Sequence, residues 1–144
     1  MFDLDVDDRL SAWSELRKQV DTCHDPLQTV TDFWSSTPFV AHNHKIDPFY
    51  PASWPTPWEM IVENRYDDFT KAVMIGYTLL LTERFKSSEV QIKTLVDTEF
   101  KRLYNVVYVD NTWVLNYDDG QVLRADNIPS LYNLENLVEL NRPR

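Results

Sequence analysis

The sequence is poor in glycine and has a single cysteine. Gly76 and Gly120 are the only glycines, so the chain lacks both a glycine-rich phosphate loop and the glycine fingerprint of dinucleotide-binding domains. Cys23 has no second cysteine with which to form a disulfide or a multi-cysteine zinc cluster. Nucleotide-binding enzymes of those types are therefore poor candidates.

Positive charge and long apolar runs are also scarce. The chain has 14 Lys and Arg residues against 23 Asp and Glu, and the basic residues are scattered along it. A net charge of -9 repels phosphate backbones, so we expect no nucleic-acid partner. The amino terminus lacks the pattern of a signal peptide, and no apolar run reaches the roughly 20 residues of a membrane span. We therefore expect a soluble protein of the cytoplasmic kind with no membrane contact.

What the chain does have is hydrophobic and aromatic residues, 43% and 13% of the total, enough for the core of one domain. An apolar stripe from Val6 to Val20 predicts an amphipathic first helix. Asp25 followed by Pro26 predicts the start of a short second helix that ends before Pro38. Residues 1–34 therefore form the helical N-terminal part of the predicted domain.

Five prolines prevent residues 35–57 from forming one helix or a central strand. The aromatic residues of this segment predict an ordered, extended loop. At its end, Thr56 and Glu59 match a capping box, with Pro57 in the first helical position of a short helix that reaches about Val62.

A strongly apolar segment then predicts a buried helix from residue 67 to about residue 85, with Asp67 or Asp68 as its cap. Gly76 in its middle weakens the helix and suggests that another element passes close by. We interpret the Asp pair 67/68 as a capping feature rather than as an acid–base pair or a magnesium site.

After Ser88 the pattern changes to alternation, which predicts antiparallel strands near residues 89–96, 103–109 and 112–117. Turns are expected at residues 110–111 and around Gly120, and residues 121–126 are a candidate fourth strand. The segment 130–140 fits either a short helix or an extended strip. One domain over residues 1–144 follows, of the α+β class, with a core in 58–120 and a C-terminal extension in 121–144.

The segments WPTPWEMIVENRYDDFTKAVMIGYTLLL and YNVVYVDNTWVLNYDDG resemble the transglutaminase-like cysteine peptidase superfamily, a relative of the papain-like fold. The resemblance covers roughly residues 54–120. It implies a nucleophilic cysteine at the start of the buried helix, a histidine on a later strand, and an acid at the end of the next strand.

These three positions fall on Tyr66, Asn105 and Asn116, so none of the implied catalytic groups is present. A tyrosine hydroxyl with an ordinary pKa near 10 is a poor nucleophile at neutral pH, and asparagine cannot accept a proton as imidazole does. The resemblance therefore implies a degenerate scaffold with vestigial positions and no catalytic residues.

The same stretch is similar to small proteins of contractile-tailed bacteriophages, in particular those of marine cyanobacteria. This resemblance implies a virion or assembly component, located in the particle or in the host cytoplasm, and it does not indicate which part of the particle.

Other candidate groups have simpler interpretations. His42 and His44 point the same way on an extended chain but lack a third strong ligand, so we predict neither a metal site nor a cofactor. Cys23 and the adjacent His24 diverge in any regular structure and do not form a nucleophile–base pair. The aromatic residues near the proline-rich loop are the candidate binding surface: Phe39, Phe49, Tyr50, Trp54 and Trp58.

Together these features favour a non-enzymatic structural or adaptor protein of a bacteriophage particle, with other proteins, such as virion subunits, as its partners. The alternative is an active hydrolase or peptidase with an unidentified or partner-completed site. The sequence leaves open the oligomeric state and the identity of the partners.

Overall fold

The structure, a computed structural model, describes residues 1–143. Four helices pack against one five-stranded antiparallel sheet, which confirms the predicted α+β class. The helices are α1 (Val6–Thr22), α2 (Pro26–Ser35), α3 (Pro57–Glu63) and α4 (Asp68–Leu80). The strands are β1 (Val90–Asp97), β2 (Arg102–Val109), β3 (Trp113–Leu115), β4 (Val122–Arg124) and β5 (Asn133–Leu140). Pro51–Ser53 and Ala125–Asn127 form single turns of 3-10 helix. No helix within residues 1–143 combines the length and apolar character needed to cross a membrane.

The order of strands across the sheet is β4-β3-β2-β1-β5. The candidate fourth strand is present as β4, and the C-terminal segment that fitted either a helix or an extended strip is the edge strand β5. Val138 and Leu140 of β5 are buried while Leu137 and Glu139, which alternate with them, are exposed, and this is the period of two expected for a strand.

Side-chain caps determine where three of the helices begin. Asp5 accepts a hydrogen bond from the Asp8 backbone N–H at the start of α1. At α3 the capping box is complete, because the Glu59 N–H donates to Thr56 Oγ1 (3.2 Å) and the Thr56 N–H donates to Glu59 Oε1 (3.0 Å). These interactions satisfy N–H groups that have no partner within their own helix.

The predicted length of α4 is wrong at its C-terminal end, since the helix ends at Leu80 rather than near Phe85. The hydroxyl of Thr82 donates to Leu79 O (2.6 Å) and accepts from the Phe85 N–H (3.1 Å). Local bonds of this kind compete with the helical pattern and replace the last expected turn.

A buried hydroxyl on α4 fixes the two N-terminal helices in place. Thr78 Oγ1 accepts hydrogen bonds from the indole N–H groups of Trp13 on α1 (2.9 Å) and Trp34 on α2 (3.1 Å). The same hydroxyl donates to Met74 O (2.6 Å), so the Thr78 hydroxyl and both indole N–H groups have partners. Both tryptophans are fully buried, and α4 is the centre of the helical layer.

Gly76 lies at a close contact between α4 and the sheet, as its position in the sequence predicted. A Cβ atom at this position would overlap the Leu140 side chain of β5 and lie 3.1 Å from Val90 Cγ1 of β1. Glycine is therefore required here by contact with two strands.

Candidate functional site

A polar cluster lies at the N-terminus of α4, where that helix meets β2 and the end of β3. Asn105 Nδ2 donates to Asp68 Oδ2 (3.0 Å), and Asn116 Nδ2 donates to Asp68 Oδ1 (3.4 Å). Asn116 Nδ2 also donates to the Asn105 backbone carbonyl (2.8 Å). The structure thus brings together two of the three residues singled out from the sequence, Asn105 and Asn116, around a carboxylate. We refer to Asp68, Asn105 and Asn116 as the polar cluster.

Local sequence explains why Asp68 is available for this cluster. Asp67 caps α4, because its Oδ1 accepts from the Thr70 N–H (2.7 Å) and the Thr70 hydroxyl (2.6 Å). Its Oδ2 also accepts from the Asn43 N–H (3.0 Å). With the cap supplied by Asp67, the Asp68 side chain in the first helical turn is directed to the sheet.

The two asparagines are held in place by their own strands. Asn105 is buried in β2, where its Oδ1 accepts a hydrogen bond from Thr94 Oγ1 of β1 (2.9 Å). Asn116 follows β3 with a φ of 66°, in the left-handed region that asparagine tolerates better than most residues. This backbone turn brings the Asn116 amide to the strand next to it.

Tyr66 does not join the polar cluster. Its ring is fully buried at 5.4 Å from Trp34 and 5.7 Å from Phe2, measured between ring centroids. Its hydroxyl donates to the Met60 carbonyl (3.3 Å). Burial raises the pKa of Tyr66 above its ordinary value, although the charge of Arg9 acts in the opposite direction. The phenol is therefore a neutral core group, outside the hydrogen bonds of Asn105 and Asn116, with which the family resemblance grouped it.

A small cavity adjoins the polar cluster on the helical face of the sheet. Its volume is about 160 Å³, and Asn105 and Thr94 form part of its floor. Phe69 of α4 and Leu103 of β2 give it apolar walls, and the proline-rich loop covers one side. The Asn136 amide donates to the Pro48 carbonyl (3.0 Å) and so attaches that loop to β5.

The five aromatic residues predicted to form a binding surface divide into two groups. Phe39, Phe49 and Tyr50 are 73%, 69% and 61% exposed. Trp54 and Trp58 instead pack against the core, with Trp54 beside Phe69 and Trp58 beside Trp13. The Trp54 indole donates to the Asp47 carbonyl (2.6 Å) and thereby closes the loop on itself. The available surface is therefore smaller than the sequence predicted.

The two histidines of the proline-rich loop form no hydrogen bond with the polar cluster. His42 and His44 are exposed, with ring centroids 4.7 Å apart, and they flank the buried Asn43. Over residues 1–143 no group of three or more His, Cys, Asp or Glu side chains has the arrangement of a metal site. The Cys23 thiol lies 3.5 Å from the Thr29 hydroxyl, next to the start of α2, and His24 is exposed.

The role of Asp68 is what the sequence analysis missed. Either aspartate of the pair 67/68 satisfies the pattern of a helix cap. Only when Asp67 is known to be the cap does it follow that the Asp68 side chain is available to bind the asparagines of the sheet. A weak signal was present, since two acidic residues at one helix start exceed what a single cap requires.

Comparison with known proteins indicates the class of fold. No family model and no curated protein matches the sequence. Among solved structures, the fold matches that of calcium-bound LapG from Legionella pneumophila, with a TM-score of 0.65 and 17% identity over 91% of this chain and 74% of that one. At this identity the likeness concerns the fold alone, and it supports the transglutaminase-like architecture predicted from the sequence.

Proposed function

We propose that this chain is a non-enzymatic protein-binding domain on a degenerate transglutaminase-like scaffold. The composition of the polar cluster carries the proposal. A cysteine hydrolase needs a thiol at the helix start and an imidazole to take its proton. Asp68, Asn105 and Asn116 provide one carboxylate and two carboxamides, and a carboxamide is not a proton acceptor at neutral pH.

The hydrogen bonds of the polar cluster support a structural role for it. Both carboxylate oxygens of Asp68 accept from amide donors, and Asn105 is also bonded to Thr94 on the neighbouring strand. The cluster therefore connects the start of α4 to three strands. In this proposal, positions that serve catalysis in the family hold the scaffold together in this chain.

The exposed aromatic residues of the loop support protein binding. Aromatic side chains contribute much of the binding energy at protein interfaces, and they lose little conformational entropy when they become buried there. Phe49 and Tyr50 are adjacent and mostly exposed, and the loop that carries them is fixed by Trp54 and Asn136. A fixed loop presents these rings with a reduced ordering cost.

In its narrower form, the proposal makes the chain a component of a bacteriophage particle. This part is supported only by the resemblance of the segments WPTPWE and WVLNY to small proteins of contractile-tailed phages. Mass spectrometry of purified particles tests it, with the chain expected at a stoichiometric level. Its absence from purified particles would contradict this narrower form.

An activity assay tests the non-enzymatic part of the proposal. The full chain is incubated with fluorescent casein and with small amide substrates over a range of pH. We expect no hydrolysis above that of a heat-denatured sample. Hydrolysis that is lost in Asp68→Asn would show that the polar cluster is catalytic and would overturn the proposal.

A capture experiment with matched variants tests the binding part. The tagged chain is used to recover partner proteins from the native lysate, and the same is done with Phe49→Ser and Phe100→Ser. Both phenylalanines are 69% exposed, but Phe100 lies in the turn between β1 and β2 rather than in the aromatic loop. We expect Phe49→Ser to reduce recovery and Phe100→Ser to leave it unchanged. Equal recovery by all three proteins would contradict binding through the loop.

A further inference from the structure

β5 has a free edge. Within residues 1–143 it pairs only with β1, and none of its residues takes part in a backbone hydrogen bond outside that pairing. In an antiparallel pair, alternate residues direct their N–H and C=O groups to the partner strand, and the others direct them away. About half of the residues in β5 therefore offer unpaired backbone groups along this edge.

Two of the usual protections of an edge strand, proline and lysine, are missing from β5. The sequence from Asn133 to Leu140 has neither proline nor lysine. One irregularity in register interrupts the strand between Leu134 and Asn136, and from Asn136 to Leu140 the pairing is regular. Leu134 and Leu137 are 54% and 41% exposed, so an added strand would also bury apolar surface.

The charge of the edge indicates the chemistry of its occupant. Glu135 and Glu139 are both exposed, and neither forms an ion pair with another residue in the described part of the chain. Glu139 accepts only a hydrogen bond from Gln91 (3.3 Å). The neighbouring cation, Lys93, lies with its ammonium group 4.0 Å from the centre of the Tyr108 ring. These carboxylates, together with the net charge of -9 of the whole chain, favour a basic partner.

We propose that the free edge of β5 binds an extended, basic segment of a partner protein, which adds a sixth strand to the sheet. This inference rests on the proposed function and specifies its partner class. Backbone hydrogen bonds to β5 provide the pairing, and lysine or arginine side chains placed opposite Glu135 and Glu139 provide selectivity. A second copy of the chain is a poorer occupant, because both edges would carry the same negative charge.

A peptide of alternating lysine and valine tests the inference on the full chain. Binding is measured by fluorescence anisotropy, and amide hydrogen exchange locates the site. We expect saturable binding that slows exchange in residues 133–140. The double variant Glu135→Lys/Glu139→Lys is expected to weaken binding by about tenfold or more. As a matched control, Glu15→Lys/Asp126→Lys makes the same change in net charge at exposed positions away from β5 and should have a much smaller effect.

A second peptide separates strand pairing from simple charge attraction. The same lysine–valine sequence with an N-methyl group on every residue keeps the charge but has no N–H donor for the ladder on either edge, and we expect it not to bind. Equal binding of both peptides, protection outside residues 133–140, or dimerisation of the chain through β5 would overturn the inference. If the lysine–valine peptide does not bind while Phe49→Ser still reduces capture, the β5 inference fails alone and the proposed function stands.

Discussion

Asp68 shows how one residue decides the chemistry of a whole site. Its carboxylate lies at the start of a buried helix, and both of its oxygens accept from asparagine amides. The Asp68 side chain is shielded from solvent in part, and polar groups in such places need hydrogen-bond partners. Its two hydrogen bonds meet that need without requiring any reactivity. The side chain therefore stabilises the junction between α4 and the sheet.

Replacing Asp68 by alanine tests this role. The change removes the Asp68 acceptor of the buried Asn105 amide, whereas the Asn116 amide keeps its bond to the Asn105 carbonyl, and an unsatisfied buried donor costs about 1–3 kcal/mol. We expect the free energy of unfolding, measured by urea denaturation, to fall by that amount. Asp118→Ala, at an exposed turn position, serves as the control and should change it by less than about 0.5 kcal/mol. Equal stability of the two variants would contradict a stabilising cluster.

Tyr66 predicts a particular dependence of stability on pH. Because burial raises the pKa of Tyr66, the folded protein keeps its phenol proton at a pH where the unfolded chain has lost it. The free energy of unfolding should therefore be unaffected by this group below about pH 10 and should fall as pH rises above that value. Tyr66→Phe should show a shallower fall in thermal or chemical denaturation at alkaline pH. An unchanged slope in this variant would show that Tyr66 ionises freely in the fold.

At the residue scale, Asn105 and Asn116 of the three positions named from the sequence meet in the polar cluster, whereas Tyr66 lies apart from them and Asp68 joins them instead. Asn105 lies in β2 and Asn116 directly follows β3. Because side chains alternate between the two faces of a strand, the face to which each residue points can be predicted from the sequence. Tyr66 precedes the cap of α4 and Asp68 is the first residue of that helix, and a shift of two residues here changes which side chain faces the sheet. Which aspartate caps α4 determines which side chain faces the sheet, and from the sequence alone Asp67 and Asp68 are equivalent candidates for the cap.

At the scale of the elements, substitution of Gly76 tests the contact of α4 with β1 and β5. Alanine at this position is a better helix former by about 1 kcal/mol, but its Cβ would collide with Leu140 and crowd Val90. We expect Gly76→Ala to reduce the free energy of unfolding by about 1–3 kcal/mol, the range for overpacked cores. A thermal melt checks it, and a variant as stable as the parent or more so would contradict the close approach.

The capping box of α3 gives a second prediction at this scale. Thr56→Ala removes the acceptor of the Glu59 N–H, and the loss of an N-terminal cap costs about 1 kcal/mol. Thr56→Ser keeps the hydroxyl and should retain most of the stability. Urea denaturation of the two variants distinguishes them, and an equal loss in both would show that the hydroxyl is not the stabilising group.

Element starts were easier to predict than element ends. The caps Thr56 and Asp67 are local signals, so the starts of α3 and α4 follow from a few residues. The end of α4 depends on the Thr82 hydroxyl and on the contact of the Arg84 N–H with Asp21, which lies on α1. The character of residues 133–140 depends on pairing with β1, a contact that no local pattern encodes.

At the scale of the whole molecule, the order of elements predicts the α+β class, but the sheet order is a tertiary property. β5 adds next to β1 rather than next to β4, and this places the last strand of the chain against Gly76. The same arrangement leaves the exposed aromatic residues of the loop and the edge of β5 on the side of the sheet bounded by Pro48 and Asn136. Both proposed binding features therefore adjoin the polar cluster's cavity.

In the proposed function, the polar cluster of Asp68, Asn105 and Asn116 lies where a cysteine hydrolase on this scaffold would hold its catalytic groups, with Asp68 rather than Tyr66 at the thiol position. The most direct test is to restore those groups as Asp68→Cys/Asn105→His/Asn116→Asp in a Cys23→Ala background and to measure the rate of thiol alkylation against pH. The control places the cysteine at Tyr66 instead, with the same histidine and aspartate, and circular dichroism checks that both variants are folded.

An imidazole and a helix N-terminus next to a thiol favour its ionised form. We expect the cysteine at position 68 to titrate below the ordinary thiol pKa of about 8.5, and the buried cysteine at position 66 not to do so. A cysteine at position 68 with an ordinary or raised pKa, together with a lowered pKa at position 66, would contradict the account.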